Sequence, residues 1–223
     1  EGNFVGIPGP PNPDLDGLEV QDFGGGTNGN IIDKDSPSIF TLQWSDPQAG
    51  SNNDYDLILM DDNMTDILDV GAEIQDGTQD PYEWIDSEFW EDSGNVLLIV
   101  KWEEEGIVTE DRFMHLNTNR GTLRLATDGQ ISGHSAAADA FSVAAVDWFK
   151  NPAAAFDGSE SVETFSSDGP RQIFYEEDGS AITPGNFLAG AGVVRQKPDL
   201  TAADGVSTAT PGFDPFFGTS ASA

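Results

Sequence analysis

The sequence predicts an α/β domain with a partial, mostly parallel sheet, into which an antiparallel, jelly-roll-like β-sandwich is inserted. Three observations carry this. From about Ile31 to Leu125, short segments alternate apolar and polar residues with period two between Asp, Asn, Gly and Pro turns, as antiparallel strands with one wet face do. After Gly129 the texture changes. Phe141-Ser142-Val143-Ala144-Ala145-Val146 is an apolar run, as suits a buried strand of an α/β sheet. The alternating stretch is also too long to be one structureless loop in a compact domain.

Taken in order, residues 1–22 are expected to be loop, because Pro8, Pro10, Pro11 and Pro13 with Gly6, Gly9 and Gly17 oppose regular structure. Gly24-Gly25-Gly26 marks a hinge. Strands follow at 38–44, at 55–60 up to the turn Asp61-Asp62-Asn63, at 96–102, at 112–116 and at 122–125. Their core is predicted from Phe40, Leu42, Leu57, Leu59, Leu97, Ile99 and Phe113. Trp44, Trp84, Trp90 and Trp102 are expected in the core or at its rim, an aromatic platform for carbohydrate being the alternative use. Residues 135–140 are small and tolerate a helix, and 153–158 are loop. Residues 162–170 end in a strong turn, 196–200 lead into a further loop, and no internal repeat is present.

Composition narrows the function. The chain is 37% hydrophobic with 14 Phe, enough to build a core, which excludes global disorder. Nine Lys and Arg face 40 Asp and Glu, a net charge of −31 that repels nucleic-acid phosphates and anionic lipid headgroups. That balance suits a secreted protein, a calcium binder or a protein of salty water. Cysteine is absent, which excludes disulfides and thiol catalysis. The longest apolar stretch, Val96-Leu97-Leu98-Ile99-Val100, has strand length and falls far short of a membrane span. The chain opens on Glu1 and stops at Ser222-Ala223 without a closing element, so both ends are expected to be cuts in a longer protein.

The chemistry lies at the end of the chain. A nucleophilic serine needs a rigid mount, an exposed hydroxyl and nearby backbone N–H groups for an oxyanion. Gly218 permits a tight entry and close approach of substrate backbone, and Thr219 and Ser220 fall where a helix would start. Alone, Gly-Thr-Ser-Ala is an ordinary helix cap. It stands, however, as the last of four segments. Phe141-Ser142-Val143-Ala144-Ala145-Val146-Asp147 comes first, then Thr164-Phe165-Ser166-Ser167-Asp168-Gly169-Pro170, then Lys197-Pro198-Asp199-Leu200, then Gly218-Thr219-Ser220-Ala221-Ser222-Ala223.

In motif content, order and spacing these segments resemble the C-terminal part of the catalytic domain of subtilisin-like serine proteases, the subtilases, over residues from about 131 to 223. Ala202-Ala203-Asp204-Gly205 departs from the Ala-Pro-Gly that many members carry after the Lys-Pro-Asp segment. The resemblance implies a subtilisin-like α/β fold and a secreted, extracellular serine endopeptidase. It implies Ser220 as nucleophile, Gly218 and Thr219 beside the oxyanion, and a polypeptide substrate cleaved by acyl transfer. The family's triad Asp and His are expected outside this chain, since neither an Asp-[Ser/Thr]-Gly nor a His-Gly-Thr motif occurs. The isolated fragment is therefore expected to be inactive. His134, in Gly133-His134-Ser135-Ala136, resembles the second motif only superficially and fits a cleft or packing role better. His115 is expected to be a partly exposed strand residue. For the family's oxyanion asparagine, Glu1-Gly2 fits the last two places of its motif, which puts the Asn one residue before this chain; Asn3 is the competing candidate.

The resemblance also divides the chain into 1–22, a catalytic-domain fragment; 23–129, the inserted sandwich; and 130–223, the catalytic-domain fragment that ends at the nucleophile. Within the insert, Asn53-Asp54-Tyr55-Asp56-Leu57-Ile58-Leu59 resembles a strand of bacterial pre-peptidase sandwich domains. No cofactor is certain. Calcium is a candidate at Asp54, Asp56, Asp61, Asp62 and Asn63, which offer hard oxygen ligands without EF-hand spacing. The alternatives to an enzyme are a non-catalytic protein- or glycan-binding module and a degenerate subtilase scaffold.

Overall fold

A computed structural model describes residues 1–34, 39–86, 93–103, 108–119, 121–148 and 156–223. The chain divides into two compact units, one of Glu1–Thr127 with Phe174–Gly192 and one of Asp128–Ile173 with Val193–Ala223.

The first unit holds eleven strands among its described residues: β1 (Gly2–Asn3), β2 (Gly6–Pro8), β3 (Glu19–Gln21), β4 (Asn30–Lys34), β5 (Ile39–Trp44), β6 (Asp54–Met60), β7 (Ile67–Gly71), β8 (Tyr82–Asp86), β9 (Val96–Trp102), β10 (Phe113–Asn117) and β11 (Thr122–Leu123). They form two antiparallel sheets. One has the order β1-β10-β5-β8. The other runs β11-β4-β9-β3-β2, with β6 pairing β9 on its opposite side and β7 pairing β6.

Between the sheets lies a core of Phe40, Leu42, Trp44, Ile85 and Met114 from one sheet and Ile32, Tyr55, Leu57, Leu59, Leu97 and Ile99 from the other. Each fully buried side chain of this size contributes about 1.5–3 kcal/mol. A second core covers the outer face of the larger sheet, where Val96, Leu98 and Val100 of β9 meet Ile58, Met60, Leu15 and Val20. β9 is thus buried on both faces, which explains its unbroken apolar run.

Residues 1–22 are therefore not all loop. They supply β1 to β3 and a 3-10 turn, Pro13–Leu15, that begins with Pro13 just after its Asn12 cap, where proline's missing N–H costs nothing. The prolines shape the ends of these short elements without preventing them.

The segment 174–192 is tied to the same unit. Phe174 packs on Phe113 with ring centroids 5.4 Å apart. The Phe187 carbonyl accepts from the Phe113 N–H at 3.0 Å, and Tyr175 donates to the Ser45 carbonyl at 3.1 Å. Phe113 accordingly lies half-buried on the outer face of its sheet, and Met114 and Leu116 face the core instead. The core predicted at Phe113 was out of phase by one residue. The remaining six predicted core residues are buried between the sheets. Ser38, expected to open the first of the predicted strands, lies outside the described residues.

The second unit contains β12 (Val143–Asp147), β13 (Arg171–Ile173), β14 (Val193–Arg195), β15 (Leu200–Asp204) and a single helical turn, α1 (Thr219–Ser222). β12 and β15 run parallel, in register from Val143–Leu200 to Asp147–Asp204, and β13 and β14 are antiparallel.

The expected α/β fold with a mostly parallel sheet is overturned. The described strands are antiparallel apart from the β12–β15 pair, and helix amounts to 6% of the described residues. A parallel sheet needs helices to cover its faces, and the described residues carry only turns of three or four residues. Residues 135–140 form no helix beyond the 3-10 turn Gly133–Ala136. The segment 196–200 leads into β15 and not a loop. Of the expected loop at 153–158, residues 153–155 fall outside the described residues, and 156–158 carry no helix or strand. Among the described residues, no helix is long and apolar enough to cross a membrane.

Candidate functional site

All four motif segments lie in the second unit, hydrogen-bonded or packed against one another. β12 is flanked by β15 on one side. On the other, Val146 bridges Val162, the Glu163 N–H donates to the Ala145 carbonyl at 2.8 Å, and Ser166 Oγ accepts the Ala145 N–H at 2.9 Å. The strand itself is shorter than the apolar run. Ala144, Ala145 and Val146 are buried, whereas Phe141 is 85% exposed.

The Lys-Pro-Asp segment is fixed to the start of β12. Asp199 Oδ2 accepts from the Ser142 N–H at 2.8 Å and from Lys197 Nζ at 2.8 Å, and Nζ also donates to the Ala140 carbonyl at 2.6 Å. The Lys197 hydrogen bond, with that of the Ser142 N–H, holds the Asp199 carboxyl below its ordinary range. Gly169, in the Ser-Ser-Asp-Gly-Pro turn, sits directly on Lys197, and a Cβ there would come within 1.9 Å of the Lys197 carbonyl oxygen. Only glycine permits that approach. Asp168 of the same turn accepts the N–H groups of Gly129 and Gln130.

Ser220 lies in α1, which packs on β12 and β15. Its side chain is exposed and Thr219 is half-buried. Gly218 caps the turn at φ 120° and ψ 164°, a backbone that residues with a Cβ rarely adopt. Its N–H donates to Asp204 Oδ2 at 2.8 Å. Beyond β15 the chain turns at Gly205 and returns to α1, with Val206 and Phe216 exchanging backbone hydrogen bonds. Ala202, Ala203 and Asp204, where the sequence departs from the subtilase pattern, thus close a strand and not a loop.

The other candidates are scattered. His134 is exposed in the 3-10 turn and no hydrogen bond joins it to Ser220. His115 is not partly exposed: it is 4% exposed in β10, with Nδ1 2.9 Å from Glu1 Oε1. Asn3 pairs in β1, and its Oδ1 accepts the Ala189 N–H. Trp44 is core and donates to Ser51 Oγ; Trp84 and Trp102 are exposed at the surface; Trp90 lies outside the described residues.

The calcium candidates lie in β6 and in the turn that follows it. The Asp61 carboxylate accepts from Thr65 N and Oγ1 and from the Asp66 N–H, hydrogen bonds that lower its pKa to about 2. Among the described residues, no three His, Asp or Glu converge to hold a metal ion.

The sequence reading missed Glu83 and took Asp56 only as a calcium candidate. Burial, added to the charge of Asp54, raises Asp56 to about 7. Burial also raises Glu83 to about 7, although Gln75 Nε2 and the Glu73 N–H both donate to it. Period two could have found Glu83, which shares the inward phase of Ile85 in β8. Asp204 was legible only as a departure from a motif. Compared with known proteins, the chain matches no family model, and no curated protein or solved structure gives a significant match.

Proposed function

We propose that this chain is part of a secreted serine endopeptidase, with Ser220 as the nucleophile of acyl transfer and the triad Asp and His supplied from outside this chain. One observation supports the reading best. Four segments far apart in sequence, each resembling a subtilase motif, are hydrogen-bonded or packed into a single unit that presents Ser220 exposed behind Gly218. An exposed serine on a tight turn suits the mounting of a nucleophile. Without an adjacent base the hydroxyl stays a weak nucleophile, so the isolated chain is inert. Polypeptide is the substrate. The test is a fluorophosphonate probe. The longer polypeptide should be labelled at Ser220 and its Ser220→Ala variant should not. Absence of label at Ser220 in the longer polypeptide sinks the reading.

A second reading has its own observation. Tyr82 and Trp84 project from the same outward face of β8, and Trp84 is 48% exposed. Paired exposed aromatics suit stacking on a sugar ring, which makes the sandwich a glycan-binding module. Titration with soluble oligosaccharides, followed by Trp fluorescence in wild type and Trp84→Ala, separates the two.

A further inference from the structure

We infer that Asp204 is a positioning residue for Ser220, an assignment that rests on the reading of Ser220 as the nucleophile. Asp204 is 0% exposed at the end of β15, and the residue opposite it in the parallel register is a second acid, Asp147. Carboxylates are seldom buried this completely unless paired or fully hydrogen-bonded. Here one oxygen, Oδ2, accepts the N–H of Gly218 at 2.8 Å, and Oδ1 is buried with no hydrogen-bond partner among the described residues.

Stability alone does not account for such a group. An apolar side chain would fill the site without the cost of burying polar oxygens. What the carboxylate does is hold one N–H, and that N–H belongs to the residue on which the serine turn pivots. Gly218 has no Cβ to restrict it, and its φ of 120° lies in the region that glycine visits freely. Its conformation must be imposed from outside. Rotation there swings Ser220, two residues on, away from any fixed oxyanion donor or base. Asp204 acts through Gly218 and touches neither substrate nor nucleophile. The bland alternative, a carboxylate that merely caps a turn, predicts that stability and activity fall together.

The experiment uses the longer polypeptide, with kcat, KM and melting temperature measured for wild type, Asp204→Asn and Asp204→Leu. Asn keeps an oxygen that accepts the Gly218 N–H. Leu keeps the branching of the side chain and removes the acceptor. A misplaced nucleophile costs on the order of 100-fold in rate. The expected result is therefore kcat down about 10- to 100-fold in Asp204→Leu. Its KM should be unchanged and its melting temperature equal to or above wild type. Asp204→Asn should recover most of kcat. Asp204→Leu at the wild-type rate overturns the assignment. So does a melting temperature that falls in step with kcat, or a variant that does not fold, since either assigns Asp204 to structure. Wild type unlabelled by a fluorophosphonate at Ser220 overturns the nucleophile reading and this role with it. That failure is distinguishable because it precedes any variant.

Discussion

Arg112 and Asp46 form a buried ion pair in the first unit, with Nε 2.6 Å from Oδ1 and side chains 9% and 1% exposed. Burial alone would lower the Arg112 pKa, but the hydrogen bond and charge of Asp46 outweigh it and raise it. Asp46 also accepts from Ser51 and from the Asn53 side chain and backbone, and Arg112 lies over the Phe187 ring. Asp46→Ala removes the buried partner and leaves Arg112 only the exposed Glu110 carboxylate, 3.0 Å from Nη1, so it should destabilise the first unit by about 3–5 kcal/mol. Urea unfolding followed by Trp fluorescence measures this. A loss under about 1 kcal/mol would show the pair to be dispensable.

Leu15 carries the structural claim for residues 1–22. It is buried in the second core against β9, at the end of a proline-rich turn. Leu15→Ala should cost about 2–5 kcal/mol by urea unfolding, as in any packed core. A surface loop residue would cost almost nothing.

Asp56 and Glu83 predict a pH dependence. Both folded pKa values are raised to about 7, above their unfolded values near 4. In that window the folded state binds more protons than the unfolded state, so stability falls as pH rises from about 4 to 7. Unfolding free energies at pH 5 and pH 8 should differ by a few kcal/mol in wild type. The difference should shrink in the double variant Asp56→Asn with Glu83→Gln. An unchanged slope in the variant removes these two groups as its origin.

The net charge of −31 predicts a salt response. Self-repulsion opposes compaction and salt screens it, so the melting temperature should rise from low to molar NaCl with calcium chelated. A flat or falling curve contradicts this.

Gly169→Ala tests the junction of the motif segments. The methyl group would meet the Lys197 carbonyl, so the turn and β15 must move apart, at a cost of about 1–3 kcal/mol. Amide exchange should accelerate in β12 and β15 and stay unchanged in β5 and β6. Uniform protection would mean that the contact is relieved without loss.

By itself the sequence determined local structure wherever a side chain's neighbours lie in its own strand. Alternation in β5 and β6 placed Phe40, Leu42, Leu57 and Leu59 on the inner face, because successive strand residues point to opposite sides. The motif order likewise singled out the segments that meet around β12. Tertiary structure decided what alternation cannot encode, namely which element covers a face. It made β9 doubly buried and recruited residues 1–22 and 174–192 to the sandwich. It turned Phe113 outward onto Phe174, and left β12 and β15 a parallel pair in a largely antiparallel protein. It also buried Asp204 against Gly218. An apolar pattern states that a surface is removed from water, whereas the partner that removes it can come from anywhere in the chain, and only packing selects it.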